Sequence, residues 1–287
     1  MTKHVVVGVD ESDGAAEALK WAVREVDARG AVLTAVLVWS WLDQHHVYQS
    51  EHFDPAFDED DALGTLERIV ARTLGDEVPG IRLRAVNSLA GSGLVEAAAD
   101  ADLLVVGARG LGGFKGLLVG SVSQYCLYHA PCPVVVVKPT DGPRGDLERI
   151  VIGVDGSATS LHALDWALDA ARVHRARVTV VHAWHPSYVC PTDAYLISSV
   201  DVLEQAARTL LDEAVDQADS RGLAGPIERT LVMGTAARAV LETAEGADLV
   251  VIGSRQQSAA GSLLLGSVSL QVTHHAECPV VVVPPED

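Results

Sequence analysis

The amino-acid sequence is written twice. VVVGVDES at Val5 to Ser12 returns as IVIGVDGS at Ile150 to Ser157, and ALKWAV from Ala18 returns as ALDWAL from Ala163. DLLVVGARG from Asp102 returns as DLVVIGSRQ from Asp248, and APCPVVVV from Ala130 as AECPVVVV from Ala276. The offset is 145 residues as far as Trp39 and Trp184 and 146 beyond them, so one residue separates the copies after that point. A period of this length exceeds a solenoid unit and matches a whole domain, which makes the chain a tandem duplication. The prolines, glycines and charges of KPTDGPRGDLER, Lys138 to Arg149, suit a short exposed linker. Domains are therefore expected at 1–138 and 149–287, with a linker at 139–148.

Within each copy, strand and helix patterns alternate. Val5 to Val9 is a short β-branched run that ends in Gly and Asp, as a buried strand does. From Ser12, an N-cap residue, the apolar positions Ala15, Ala18, Leu19, Ala22, Val23 and Val26 recur at helical spacing and stop before Gly30. Further strands are expected near 32–38, 81–87, 103–106 and 134–137. Leu63, Leu66, Ile69, Val70 and Leu74 define a helix face after the acidic segment DPAFDEDDA, and two more helices are expected near 93–99 and 121–129. Five strands separated by helices demand parallel pairing with helices on both faces. The fold class is α/β: two tandem doubly wound, flavodoxin-like, parallel five-stranded sheets.

Composition limits what such domains can do. There are 39 acidic against 21 basic residues, for a formal charge of -18, and no run of Lys and Arg, so the electrostatic footprint for nucleic acid or an anionic membrane is missing. No apolar stretch approaches the roughly 20 residues of a membrane-spanning helix. MTKHVVVGVD passes directly into a strand pattern, and a cytoplasmic location is expected. Cys126, Cys132, Cys190 and Cys278 form no C-x-x-C pair and read as buried reduced thiols.

In a doubly wound sheet, ligands bind beyond the carboxyl ends of the strands where strand order reverses. The loops concerned are GVDES after the first strand and GARGLGGFKGLLVGSVS, Gly107 to Ser123, after the fourth. Glycine accepts positive φ and lets a ligand approach the backbone, and successive glycines can turn their N–H groups toward one anion. Gly120 and Ser121 then open a helix whose first N–H groups favour negative charge. The Walker pattern and the G-x-G-x-x-G fingerprint are both missing, so neither a P-loop nor a Rossmann dinucleotide site is expected.

The spacing that is present, Gly107, Gly110, Gly120 and Ser121, is G-x2-G-x9-G-[ST]. With GVDES/GVDGS at the start of each copy and CPVVVV at the end, the chain resembles the ATP-binding branch of the universal stress protein family, in its tandem-domain form common in actinobacteria. The resemblance implies ATP as ligand, with or without Mg²⁺ on its phosphates. It implies Asp10 and Gly8 beside the nucleoside, Val38 at the adenine edge, and Gly107, Gly110, Gly113, Gly120, Ser121, Val122 and Ser123 around the phosphates. In the second copy it implies Gly153, Asp155, Ala183, Gly253, Gly266, Ser267 and Val268. Arg109 and Arg255 occupy matching positions from which phosphate oxygens are in reach, or surface ion pairs form instead. Gly110 becomes Gln256, and Gly112 and Gly113 become Ser258 and Ala259, so the second site is expected to bind more weakly or to be empty.

Plainer roles compete with each of these. The glycine loop could be only a tight βα connection, a reading that ranks well below phosphate binding for the first copy and level with it for the second, and Asp10 and Asp155 could serve as helix caps. His45, His46, His274 and His275 have no Cys or carboxylate at zinc-ligand spacing and read as solvated. Trp21 and Trp166 read as core. Family members associate through the final strand, so the resemblance implies pairing of the two PVVVV strands within one chain, with a homodimer of chains as a further expectation. The expected function is a nucleotide-dependent regulatory or stress-response module with little or no turnover. A slow ATPase using the same site is the alternative; it lacks a Walker-B partner and a lysine in the phosphate cradle.

Overall fold

The computed structural model describes residues 3–40, 57–75, 80–110, 119–139, 146–186, 195–254 and 265–286. These fall into two compact units, one comprising the described residues up to 139 and the other those from 146 onward. In the first unit the order is β1 (His4–Gly8), α1 (Asp13–Arg29), β2 (Val32–Trp39), α2 (Glu59–Leu74), β3 (Ile81–Asn87), α3 (Ala90–Ala97), β4 (Leu103–Gly107), α4 (Ser121–His129) and β5 (Val134–Val137). In the second it is β6 (Arg149–Gly153), α5 (Ala158–His174), β7 (Arg177–Trp184), α6 (Tyr195–Gln217), β8 (Glu228–Met233), α7 (Ala236–Thr243), β9 (Leu249–Gly253), α8 (Ser267–His275) and β10 (Val280–Val283).

The first unit's strands lie in the order β3-β2-β1-β4-β5, with all four neighbouring pairs parallel. The second repeats it as β8-β7-β6-β9-β10, again parallel throughout. Flavodoxin itself runs 2-1-3-4-5; here two strands rather than one lie beyond the first, so the reversal falls between the first and fourth strands of each unit. In the first unit α1 packs with α2 and α3 with α4, which gives one helical layer to each face of the sheet. Val5, Val6 and Val7 of β1 and Leu103 to Val106 of β4 are all buried, the continuous apolar run of a parallel strand covered on both sides. β3 instead alternates, with Arg82 and Arg84 exposed, because it pairs only with β2 in its unit.

Local chemistry accounts for the helix ends. Ser12 accepts a hydrogen bond from the Ala15 amide at 3.1 Å and opens α1, and Gly30 closes it in the left-handed region at φ 61°. In α5 Ser157 caps in the same way, but the closing residue is Arg175 at φ 56°, where a side chain costs on the order of 1 kcal/mol. The acidic run before α2 is a capping box: Asp58 accepts from the Asp60 and Asp61 amides, and Asp61 accepts from the Asp58 amide. The buried face of α2 is centred on Ala62, Thr65, Leu66 and Ile69; Leu63, Val70 and Leu74 flank it half-buried, one step round from the face the apolar spacing suggests.

Cys126, Cys132 and Cys278 are buried thiols, and Cys190 lies outside the described residues. Burial pushes Cys126 and Cys132 up to about 12, which leaves almost no nucleophilic thiolate at neutral pH. Trp21 is core, whereas its counterpart Trp166 is only half-buried. His275 is exposed, His45 and His46 lie outside the described residues, and no cluster of three metal-ligating side chains occurs among the described ones. No helix among them is long and apolar enough to cross a membrane.

Candidate functional site

Each unit carries a cavity at the carboxyl ends of its strands, at the reversal point. In the first unit it measures about 110 Å³, and Gly8, Asp10, Val38, Gly107, Arg109, Gly110 and Val122 all line it together with Ser123. Residues more than a hundred positions apart thus meet at one place because β1 pairs directly with β4, with Val5 opposite Leu103. Ser121 is exposed in the first helical turn and does not line the cavity, and neither does Gly120. Gly113 and Arg255 lie outside the described residues.

Among the described glycines of this loop, Gly107 and Gly110 have close-approach duties rather than positive φ. None of Gly107, Gly110 and Gly120 is in the left-handed region. A Cβ at Gly107 would lie 2.5 Å from the carbonyl carbon of Gly14, and one at Gly14 would fall on the carbonyl oxygen of Arg109. Strand end, loop and helix start are therefore packed backbone to backbone. A Cβ at Gly110 would lie 2.7 Å from Asp10 Oδ2. That carboxylate cannot swing freely, since Oδ1 accepts from the Ser12 amide at 2.9 Å and the Ser12 hydroxyl at 2.5 Å. The bare Gly110 is what leaves Oδ2 accessible.

Two expected phosphate contacts are already committed within the protein. The Gly120 amide donates to the Ala108 carbonyl at 2.7 Å, and the buried Ser123 hydroxyl donates to the Gly107 carbonyl at 2.6 Å. They pin the start of α4 to the end of β4. Because α4 has no side-chain cap, the amides of its first turn keep their polarity for an outside acceptor.

The apolar end of the cavity escaped the sequence reading. Val36, Ala90 and Leu94 complete it. A Cβ at Gly8 would meet Leu94 Cδ1 at 2.8 Å, and one at Gly93 would meet Val38 Cγ1 at 2.8 Å. Both glycines let α3 descend onto the ends of β1 and β2. The small residues at the start of α3, AGSG, are the signal that could have found this contact.

The second unit's cavity is larger, about 300 Å³, and is lined by Gly153, Asp155, Ala183, Gly253, Gly266 and Val268 among others, while Ser267 is exposed. The counterparts of Val38 and Leu94 are Ala183 and Val240, both smaller. Gly14 is replaced by Thr159, and a Cβ at Gly253 would stand 3.0 Å from the Thr159 carbonyl oxygen, where its counterpart Gly107 meets backbone at 2.5 Å. The threonine holds the strand end further from the helix. Ser269 repeats the bond of Ser123, donating to the Gly253 carbonyl at 3.0 Å.

Partial burial alone would push the Asp155 carboxyl up. The hydroxyl and amide of Ser157, at 2.6 and 3.0 Å, outweigh it with help from the Ser160 hydroxyl and the His182 ring, and the group sits below the usual carboxylate range. A depressed pKa contributes stability above the unfolded value near 3.9, lost as pH falls through the folded value. Asp155 is exposed, so the contribution is about 1 kcal/mol or less. Asp155→Asn is expected to lower the thermal midpoint slightly at pH 6, with the difference shrinking as pH falls through the folded value; a difference that grows on acidification would contradict this.

Comparison with known proteins gives a consistent result. The family model for the Universal stress protein family matches residues 1–138 and again 147–284. A universal stress protein of Mycobacterium tuberculosis is 32% identical over 300 residues, spanning 97% of this chain and 95% of its own length. One of Mycolicibacterium smegmatis is 31% identical over 295 residues, spanning 98% and 97%. Among solved structures, a universal stress protein from Archaeoglobus fulgidus superposes with a TM-score of 0.64 at 16% identity, covering 99% of this chain and 98% of its own.

Proposed function

Because this chain belongs to the universal stress protein family, with one family domain in each half, we propose that it is an ATP-binding regulatory module of the stress response whose principal nucleotide site is the cavity of the first unit. The observation that carries the reading is the convergence of Gly8, Asp10, Val38, Gly107, Gly110 and Val122 on that cavity at the reversal point of the sheet. Asp10 Oδ2 is oriented to accept from ribose hydroxyls, and the apolar end at Val36, Val38 and Leu94 suits a base. The uncapped first turn of α4, with Arg109 beside it, offers donors to phosphates without any lysine. Backbone donors of this kind hold an anion in a protein with a formal charge of -18.

The same geometry favours occupancy over turnover. The described lining of the cavity holds no lysine to stabilise charge developing in a hydrolytic transition state. Hydrolysis is expected well below about 1 s⁻¹, the low end of ordinary enzymes. A Mg²⁺ ion, where ATP brings one, would be held by the phosphates.

Denaturing the purified protein and identifying the released nucleotide tests the reading. Gly110→Gln imposes the second copy's residue, and its side chain starts 2.7 Å from a pinned Asp10 oxygen. ATP affinity is expected to fall at least about tenfold, with stability reduced by no more than about 1–2 kcal/mol. Unchanged nucleotide content in this variant would remove Gly110 from the site.

A further inference from the structure

Among the described residues, β3 and β8 each pair with a strand on one side only. Such an edge offers unpaired backbone N–H and C=O groups to any strand that fits it, and charged side chains are a common guard. The two edges are guarded differently. β3 carries exposed Arg82 and Arg84 on one face. At the matching positions β8 has Glu228 and Thr230. Glu228 accepts from the Thr179 hydroxyl at 2.9 Å, and Arg229, on the opposite face, donates to Asp212 and Asp216 of α6. Both charged side chains of β8 are thus drawn back onto their own unit, and the rest of the strand, Thr230 to Met233, is uncharged. We propose that β8 is a homodimerisation edge, on which β8 of a second copy pairs antiparallel about a two-fold axis and continues the sheet.

The order of residues along β8 suits its own copy. A two-fold axis perpendicular to the sheet sets residues of one face opposite residues of the same face. Centred on Leu231, the pairing places Leu231 against Leu231, Thr230 against Val232 and Arg229 against Met233, with no like charges opposed. The same operation on β3, centred on Leu83, would place Arg82 against Arg84, and like charges directly opposite are destabilising. Exposed apolar side chains gather beside β8 as well. Of the five large ones among the described residues, Val202 and Leu203 stand on α6, which packs on β7 and β8, and Met233 ends β8 at 64% exposed; α2 and β3 carry none. Pairing at this edge therefore satisfies backbone polar groups and removes the Met233 side chain from water together.

Sedimentation equilibrium and amide hydrogen exchange on the full chain test this, with two variants at one position. Thr230→Arg imposes the first copy's Arg84, and Thr230→Val keeps the edge uncharged. The unaltered chain is expected to form a dimer that dissociates on dilution, as suits a contact made by a six-residue strand. Amides of Thr230 to Met233 should exchange more slowly at high than at low protein concentration, while those of β3 should exchange alike at both. Thr230→Arg is expected to weaken dimerisation at least about tenfold, because the two new arginines are diagonal neighbours across the axis. Thr230→Val should keep the dimer. The first copy already holds an arginine at this point of the same fold, so the dilute Thr230→Arg chain should unfold at the temperature of the unaltered monomer. A chain still monomeric at about 100 µM, which corresponds to less than about 6 kcal/mol of association, overturns the proposal. So does a dimer equally tight in Thr230→Arg, or exchange at β8 that is independent of concentration. Should Thr230→Arg fail to fold, the concentration dependence of exchange in the unaltered chain decides alone.

Discussion

Gly107→Ala is expected to destabilise the first unit by about 3 kcal/mol, the upper end for an overpacked site, and to empty it of nucleotide. The new methyl would sit 2.5 Å from the Gly14 carbonyl carbon, 2.6 Å from its oxygen and 3.0 Å from the Ala15 amide. All three are backbone atoms in the first turn of α1, which the Ser12 cap holds in place. No rotamer change can relieve the clash, so β4 and α1 must part, and Asp10, Gly110 and the loop between strand and helix move with them. The counterpart Gly253→Ala meets Thr159 no closer than 3.0 Å and should lose about 1 kcal/mol or less. Urea midpoints of both variants, with the nucleotide released from each, decide the matter. Equal losses at the two positions would mean that backbone approach to Gly14 does not govern the site.

The second large effect lies away from any ligand. Glu25 and Arg29 form an ion pair one turn apart on α1, with side chains 2% and 6% exposed. Removing one member of a buried pair typically costs about 3–5 kcal/mol, whereas replacing both partners by apolar residues is often neutral. Arg29→Ala is therefore expected to lower stability by that amount. Glu25→Leu with Arg29→Met should recover most of it. The duplication supplies the precedent, because the matching positions on α5 are Ala170 and His174, and Ala170 is 1% exposed in an equally regular helix. Chemical denaturation of the single and double variants gives the coupling directly. A double variant as unstable as the single would show that the site depends on charge itself.

The second unit's cavity changes how the duplication is read. On sequence, Gln256 in place of Gly110 suggests a copy that has decayed. The described residues instead keep Gly253, Gly266 and Asp155 around a cavity nearly three times the volume of the first. The substitutions that enlarge it, Ala183, Val240 and Thr159, are scattered over three elements and carry no motif. Their meaning depends on which face of a strand or helix they occupy.

The sequence by itself determined the duplication, the alternation of strands and helices, the cap at Ser12 and the loops that bear the candidate site. Those are local or periodic signals: apolar spacing, β-branched runs and a capping hydroxyl act within a few residues of themselves. The periodic signal is also why the α2 face was misjudged by one step, since Leu63, Val70 and Leu74 satisfy helical spacing as well as the face that is buried. Tertiary structure decided what each glycine is for. Gly107 and Gly110 were legible as loop glycines that take positive φ or let another group approach the backbone; neither takes positive φ, and the groups that come close are the protein's own Gly14 and pinned Asp10. It also decided that Gly120 and Ser123 bond inward, that α3 closes the apolar end, and that Glu25 finds Arg29 out of water. All but the last depend on the distance between segments that the helix and strand periodicities do not fix; the Glu25–Arg29 pairing is local to α1, and what the fold adds to it is burial.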